Sequence, residues 1–430
     1  MTRVFVVAAL LALAAPAAVA AHLQDAAEPP PPPAVSWRAS VEWIGAMRGT
    51  DPAETRLNPG NTRFRIPQFR AQAEVRPNVR IELGPRITAV VRPRGLATAQ
   101  AAWATGLPRT TENDASANWT EAYLNWRPTD SLQLTYGLQN FQWGPAELLA
   151  PSNRIFHETG VFRDQLYYVR GRHLLRVNLS SGRQWSLVGL AELTGNGEDP
   201  FVAGEPFRRQ GQVKGEYAGG SGRGYIGVTA GARQGSRPWF GEYASYELAA
   251  GLSAYADATH TRGSRAWYPV ALPSGAATFV RRDLEADAWR TLAVAGVRYA
   301  FVAGPDARLE YLYQDAGYTR GEVDRAAAAL GASPTQAAPF TAPGLEFLGR
   351  RLALASLRVP DLPPNDRLAL QGRYLRSFTD RSGVAFLTGT LDAADAVVLF
   401  ASGSVTHGRD TAEFSRLAKV GVVAGAVWTW

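Results

Sequence analysis

The chain has 430 residues, a formal net charge of +7 and no cysteine, which excludes disulfides, thiolate metal sites and thiol catalysis. Hydrophobic residues make up 46% of it, yet they come in short runs broken by Arg, Gly or Pro, so no segment after the start could cross a bilayer as a helix of ~20 residues. Lysine occurs only at Lys214 and Lys419; the positive charge is arginine spread along the chain, which argues against a nucleic-acid partner.

In chain order, residues 1–20 read as a signal peptide. Thr2-Arg3 is a short basic start, Val4 to Ala14 is apolar, and Ala18-Val19-Ala20 is an A-x-A site before Ala21. Residues 21–34 read as a periplasmic leader stiffened by Pro29 to Pro33. Residues 35–430 then alternate in the manner of β-strands, whose successive side chains point to opposite faces.

Val35, Trp37, Ala39, Val41 and Trp43 share one strand face. Phe64 and Ile66 begin a second set, which Phe69 to Val75 continue after a bulge at Pro67. A tight turn is expected at Arg76-Pro77-Asn78, before a strand from Val79 to Val91. Thr120 to Trp126 and Leu132 to Leu138 flank the turn Arg127-Pro128-Thr129-Asp130. Trp185, Leu187 and Leu193 form a later set, and Tyr246 to Ala256 alternates with no obvious turn. Trp289 to Phe301 precedes the turn Gly304-Pro305-Asp306, and Leu309, Tyr311 and Tyr313 follow it. Leu368, Leu370 and Tyr374 follow Pro363-Pro364-Asn365-Asp366. The long connections are expected at 49–61, 95–115, 139–165, 194–209, 263–287 and 319–347, with a short helix over Ala326 to Gly331.

The last stretch, Lys419 to Trp430, puts Val420, Val422, Ala424, Ala426, Trp428 and Trp430 on one face. Such an edge invites aggregation in water, whereas in a membrane barrel the strand closes the sheet and its tryptophans sit at the lipid–water boundary. This ending resembles the C-terminal signal that outer-membrane barrels present to their assembly machinery. The sequence therefore predicts an all-β fold: a closed antiparallel transmembrane β-barrel of about 18 strands, with 16 the nearby count. Short turns are expected on the periplasmic side and long loops outside, with the last strand pairing to Val35–Trp43. Outer-membrane lipid and the barrel-assembly machinery are the expected partners. The oligomeric state is left open.

If the apolar face meets lipid, the other face lines the lumen. It carries Arg70, Arg76, Arg80, Arg86, Arg92, Arg170, Arg172, Arg176 and Arg298, interspersed with Glu74, Glu82 and Glu310. Guanidinium is permanently charged and presents a planar fork to carboxylate or phosphate, so this wall is expected to favour anionic solutes. Arg–Glu ladders that merely neutralise each other are the alternative.

The segment 139–165 is rich in Gly, Pro, Asn and aromatics, and reads as a loop folded inward to constrict the pore. Its residues Gln139, Trp143, Gly144, Pro145, Asn153 and Arg154 are the expected constriction set. Trp143-Gly144-Pro145 followed by Ser152-Asn153-Arg154 resembles an element of the Wzi capsule-assembly barrels. Gly137-x-Gln139…Trp143-Gly144 resembles porin-type barrels of the alginate-export group. The first resemblance implies an acidic glycan as ligand and the second a channel. It covers about 25 residues. The Wzi element's doubled Trp and doubled Asn are single here, and its N-terminal helical region is replaced by the proline stretch.

No cofactor, metal site or catalytic motif is expected. His22, His157, His173, His260 and His407 lack metal-ligand spacing. Asn196, Glu198 and Asp199 do not follow a calcium loop. A rim hydrolase built from Asp380, His407 and Asp410 is the weakest reading.

Overall fold

The computed structural model describes residues 35–156, 160, 164–195, 206–281, 288–332, 336–363 and 366–430. The signal-peptide, leader, His22, His157 and 196–199 readings lie outside them. The strands are β1 (Val35–Pro52), β2 (Phe69–Leu83), β3 (Ile87–Ala104), β4 (Leu107–Trp126), β5 (Leu132–Gln139), β6 (Arg172–Ser181), β7 (Trp185–Glu192), β8 (Gln210–Ala218), β9 (Gly224–Arg233), β10 (Trp239–Ala249) and β11 (Leu252–Arg262). A separate hairpin follows, β12 (Trp267–Ala271) and β13 (Ala277–Arg281). The chain returns to the main sheet with β14 (Trp289–Ala300), β15 (Asp306–Gln314), β16 (Arg351–Leu362), β17 (Leu368–Ser377), β18 (Gly383–Ala394), β19 (Val397–His407) and β20 (Ala418–Thr429).

The main sheet has 18 strands, each antiparallel to its neighbours, and closes where β20 pairs with β1. Closure leaves the sheet no free first or last strand, as a lipid-facing sheet requires. At the seam Trp43 faces Trp428, and the Val41 and Trp430 backbones exchange bonds of 2.8 and 2.9 Å. β20 pairs with Glu42–Pro52 and Trp430 with Val41, so Val35 to Ser40 run past it, paired only to β2. The expected partner strand is right and its register is higher.

Large apolar side chains face outward: Trp37, Trp126, Trp185, Tyr311, Leu387 and Trp428 are all well exposed. Many cluster at the two ends of the strands, the girdle pattern of a transmembrane barrel. The turns at the end holding both termini are short, and the long connections lie at the other, as expected.

Three connections differ from expectation. β2 runs unbroken through Arg76-Pro77-Asn78 and turns instead at 84–86. Pro77 and Pro93 fall opposite each other where the β2–β3 ladder is interrupted between Val75–Gly95 and Val79–Val91, so neither missing N–H breaks a register pair. The expected loop 95–115 is the tall end of the β3–β4 hairpin, turning at Thr105-Gly106 with Gly106 at φ 72°. Its alternating Ala97, Ala99 and Ala101 hid a strand behind weak strand formers. Phe64 and Ile66 lie in the connection 53–68, outside β2. The unclear region 209–287 resolves into four barrel strands and the β12–β13 hairpin, with the missing turn at Ala250-Gly251, where Gly251 has φ 77°.

The long connections build a cap at their end of the barrel. The expected helix over Ala326–Gly331 is longer: α1 spans Arg320–Ala332 and α2 spans Ala337–Thr341. Thr319 and Glu322 cap α1 reciprocally, the Thr319 N–H donating at 2.8 Å and the Glu322 N–H at 3.3 Å. Val323, Ala326, Ala327 and Leu330 of α1 pack on Leu57, Tyr268, Phe279, Tyr318 and Phe340.

Candidate functional site: a belt across the lumen

The continuous stretch 140–171 leaves β5 and returns as β6, and its described residues lie inside the barrel. Gly137 starts the departure: at φ 129°, a Cβ there would sit 2.3 Å from the Ala122 carbonyl oxygen. Gln139 is buried and donates to the Leu174 carbonyl at 2.9 Å. Phe141 and Trp143 pack together with ring centroids 5.6 Å apart, and the Arg176 guanidinium lies 4.5 Å over Phe141.

The segment then crosses to the opposite wall, where two carboxylates receive its backbone. Asp257 on β11 accepts the Ser152 N–H at 2.7 Å and the Ser152 hydroxyl at 3.2 Å. Gln212 on β8 donates to the Ser152 carbonyl at 2.6 Å, and Thr229 on β9 at 3.3 Å. Trp143 Nε1 donates to Ser152 Oγ at 3.1 Å. Gly144 has φ 108°, and a Cβ there would stand 2.6 Å from Asp257 Oδ2, so no other residue fits. Asn153 accepts the Phe156 N–H at 3.2 Å through its side chain and donates to the Phe141 carbonyl at 3.3 Å.

Glu310 on β15 accepts the N–H groups of Glu147 (2.7 Å) and Leu148 (2.6 Å), and the Tyr255 hydroxyl (2.6 Å). The Glu147 carboxylate in turn receives Arg373 at 3.0 Å, Gln371 at 3.3 Å and Arg308 at 3.8 Å. On the way back Asp164 pairs with Arg48 of β1 at 3.1 Å. The Gly171 N–H donates to the Thr120 carbonyl at 2.8 Å.

Apolar contacts repeat this pattern on three sides. Leu148 and Leu149 cover Leu292, Val294, Leu312, Leu352, Leu354 and Leu375 of the inner wall. Ile155 and Phe156 cover Leu174, Val188 and Leu190; Leu166 covers Ile44, Phe400 and Val423. The segment is thus a belt fastened to the wall all round, by burial of ~1.5–3 kcal/mol per large side chain and by carboxylate-accepted bonds of ~1.5–3 kcal/mol each. Phe347 of the capping connection joins the leucine cluster, and Gln314 donates to its carbonyl at 2.6 Å, so cap and belt meet inside the mouth.

Pro145 lies in this crossing between Gly144 and Glu147, and Arg154 is a half-buried member of the belt. The arginines divide into paired and unpaired. Arg76 and Arg94 both hold buried Glu74, with Nε–O distances of 2.8 and 2.9 Å. Arg80 pairs with Glu82 (3.0 Å), Arg92 with Glu121 (2.7 Å), and Arg172 with Glu192 (3.2 Å). Arg298 pairs with Asp306 near the short-turn end. These are the neutralising ladders of the alternative reading. Arg70 and Arg176 are different: neither forms a salt bridge with a described carboxylate, and each keeps a buried Nε with no hydrogen-bond partner among the described residues. Among the described residues Arg176 donates to Thr135, at 3.2 Å. Arg170 is exposed at the foot of the belt. Arg86 is a correction: it sits in the 84–86 turn and donates to the Pro128 carbonyl at 2.7 Å, at the rim, because β2 runs through the expected turn at 76–78 and ends at Leu83.

Of the groups that anchor the belt, the sequence reading put Glu310 on the inner face without this role and missed Asp257 and Glu147. It also missed the inward leucines, although Leu352-Ala-Leu-Ala-Ser-Leu357 and Leu187-Val-Gly-Leu190 are apolar on both faces, the available signal.

The rim hydrolase does not assemble. Buried Asp380 accepts the N–H groups of Ser382 (3.0 Å) and Glu413 (2.6 Å), and His407 lies on the outer face against Tyr374. Among the described residues no group of three or more His, Asp or Glu could hold a metal ion.

No family model matches the sequence, and no curated protein matches it either. Solved structures do match in fold. OccAB1 of Acinetobacter baumannii is 10% identical, with a TM-score of 0.56 over 92% of this chain and 96% of that one. The outer membrane protein OprD of Pseudomonas aeruginosa is 10% identical, with 0.52 over 91% and 94%. Wzi of Escherichia coli, described as a carbohydrate-binding β-barrel involved in group 1 capsule assembly, is 11% identical, with 0.50 over 90% and 83%. At this identity the likeness is one of fold, and the fold is that of an outer-membrane β-barrel of porin-like type.

Proposed function

We propose that this barrel sits in the cell outer membrane and works as a porin-like channel for small anionic solutes, its passage set by the belt. The carrying observation is the pair Arg70 and Arg176, two lumenal guanidiniums with donors that no carboxylate among the described residues takes up. In a low-dielectric lumen such groups hold a positive potential, while the neighbouring Arg–Glu ladders stiffen the wall and cancel themselves. A solute carboxylate or phosphate would exchange its hydration for these forks. Liposome swelling tests this: glucuronate should enter protein-loaded vesicles faster than neutral glucose of nearly the same size. Faster glucose entry would overturn the reading.

The alternative, a surface-polysaccharide assembly or export barrel that binds acidic glycan, is favoured by one observation. The belt is fastened to the wall on every side and carries Trp143 and the Ser152-Asn153 pair at its centre. A barrel that does not conduct but retains an acidic oligosaccharide would select this reading.

A further inference from the structure

At the long-loop end of β16–β19 the outer, lipid-facing side of the barrel carries positive charge. Registers place Arg351 opposite Tyr313, and Arg376 opposite Ala353, two residues along the same strand. Arg376, Gly383 and His407 form one row across β17, β18 and β19. These positions continue the outward series of exposed Tyr311, Tyr313, Tyr374 and Phe378. The adjoining turn adds exposed Arg381.

Gly383 leaves the middle of the row without a side chain. The His407 ring occupies that space, where its Nε2 would lie 2.5 Å from a Cβ on residue 383. From there it meets the Tyr374 hydroxyl at 2.9 Å and Arg376 Nη1 at 3.5 Å. The result is a basic patch bordered by exposed aromatic side chains. Among the described residues no carboxylate pairs with Arg351, Arg376 or Arg381. Other outer-face cations have local partners: His260 meets Glu242 at 2.9 Å, and the Arg262 guanidinium lies 5.0 Å over the Trp289 ring. Arginine on a lipid-facing strand is costly unless it reaches the headgroup layer and finds an anion there.

We propose that Arg351, Arg376 and Arg381, with His407, form a binding site for the phosphomonoester of an anionic lipid headgroup, held at the interface with its acyl chains running toward the bilayer centre over Leu309, Tyr374 and Val405, the exposed row next to Arg376. Two or three guanidinium forks can share one phosphate, and the bordering aromatics fix its depth. A zwitterionic headgroup would bring its own cation against the same arginines and be disfavoured.

Native mass spectrometry of the full-length protein in dodecylmaltoside tests this, with dioleoylphosphatidic acid as probe and dioleoylphosphatidylcholine as control. The wild type should retain phosphatidic acid in preference to phosphatidylcholine. The triple variant Arg351→Gln/Arg376→Gln/Arg381→Gln should lose that retention by roughly tenfold or more, the equivalent of one charge-assisted contact. Its heat-modifiable migration on gels should stay normal. Should the triple variant fail to fold, Arg351→Lys/Arg376→Lys carries the test, keeping the charge and weakening retention. Equal retention by the variants, or of the two lipids, would overturn the proposal. Displacement by millimolar inorganic phosphate would overturn the lipid as the source.

Discussion

Glu310 is the most economical place to loosen the belt. Its carboxylate is the only acceptor among the described residues for the Glu147 and Leu148 N–H groups, and it also takes the Tyr255 hydroxyl. Glu310→Gln keeps the volume but leaves one oxygen for two backbone donors and points an NH2 at the second. Losing one charge-assisted bond and stranding a buried N–H together cost ~2–4 kcal/mol. The burial of Leu148 and Leu149 at the same point is ~1.5–3 kcal/mol each, so the single change shifts the belt toward release without emptying the lumen. Adding Asp257→Asn at the second anchor should tip it. Single-channel recordings in planar bilayers should then show open-state noise for Glu310→Gln and a higher conductance for the double variant. Amide exchange at Glu147, Leu148 and Ser152 should accelerate in parallel. No ladder bond is touched, so unheated gels should still show a folded barrel. Unchanged conductance and exchange in the double variant would refute the belt as the element that sets the passage.

Other consequences are checked separately. Gly144→Ala should release the Ser152 clamp, because the new methyl group meets Asp257 at a backbone angle unsuited to alanine, and conductance should rise as for Asp257→Asn. Glu413, in the capping connections, accepts the N–H groups of Leu348 (2.6 Å) and Gly349 (3.1 Å); burial pushes its pKa up to about 7, with Asp380 adding to the shift and Arg416 opposing it. A raised folded-state value means stability present below the ordinary carboxylate range and lost as pH rises through about 7. Exchange protection at Leu348 and Gly349, corrected for intrinsic rates, should therefore be higher at pH 5 than at pH 8, and Glu413→Gln should flatten that difference. Thr319→Ala should cost α1 about 1 kcal/mol, read as faster exchange in its first turn. Deleting Trp430 removes both seam bonds to Val41 and an exposed boundary indole, and should lower the heat-modifiable fraction recovered from membranes.

Much of the fold was legible because a lipid-facing strand must alternate, and Trp289 to Phe301 or Lys419 to Trp430 do so plainly. The β3–β4 hairpin was obscured because Ala97, Ala99 and Ala101 alternate in size too weakly to show a face. Pro77 read as a turn because a proline normally ends a strand; only the opposition of Pro93, fixed by register, shows that the two share one gap in the β2–β3 ladder while both strands run on. The candidate site was legible in part. Glycine, proline and aromatics marked 139–165 as a special loop, and Gly144 proved to be demanded by Asp257. What that loop touches could not be read, since Asp257, Glu310 and the leucines of β14 to β17 come from strands over a hundred residues away. The arginines showed the converse difficulty: sequence places them on the inner face, but whether a glutamate neutralises them depends on cross-strand neighbours such as Glu121 for Arg92. Arg86 was misplaced because the turn before it was.

The most direct test of an anion-favouring lumen is the reversal potential of the reconstituted protein in a KCl gradient. The wild type should reverse on the chloride side of zero. Arg70→Gln/Arg176→Gln should move the reversal toward potassium, while Arg80→Gln, whose charge Glu82 already balances, should move it little. A potassium-selective wild type, or a reversal potential indifferent to Arg70 and Arg176, would contradict the account.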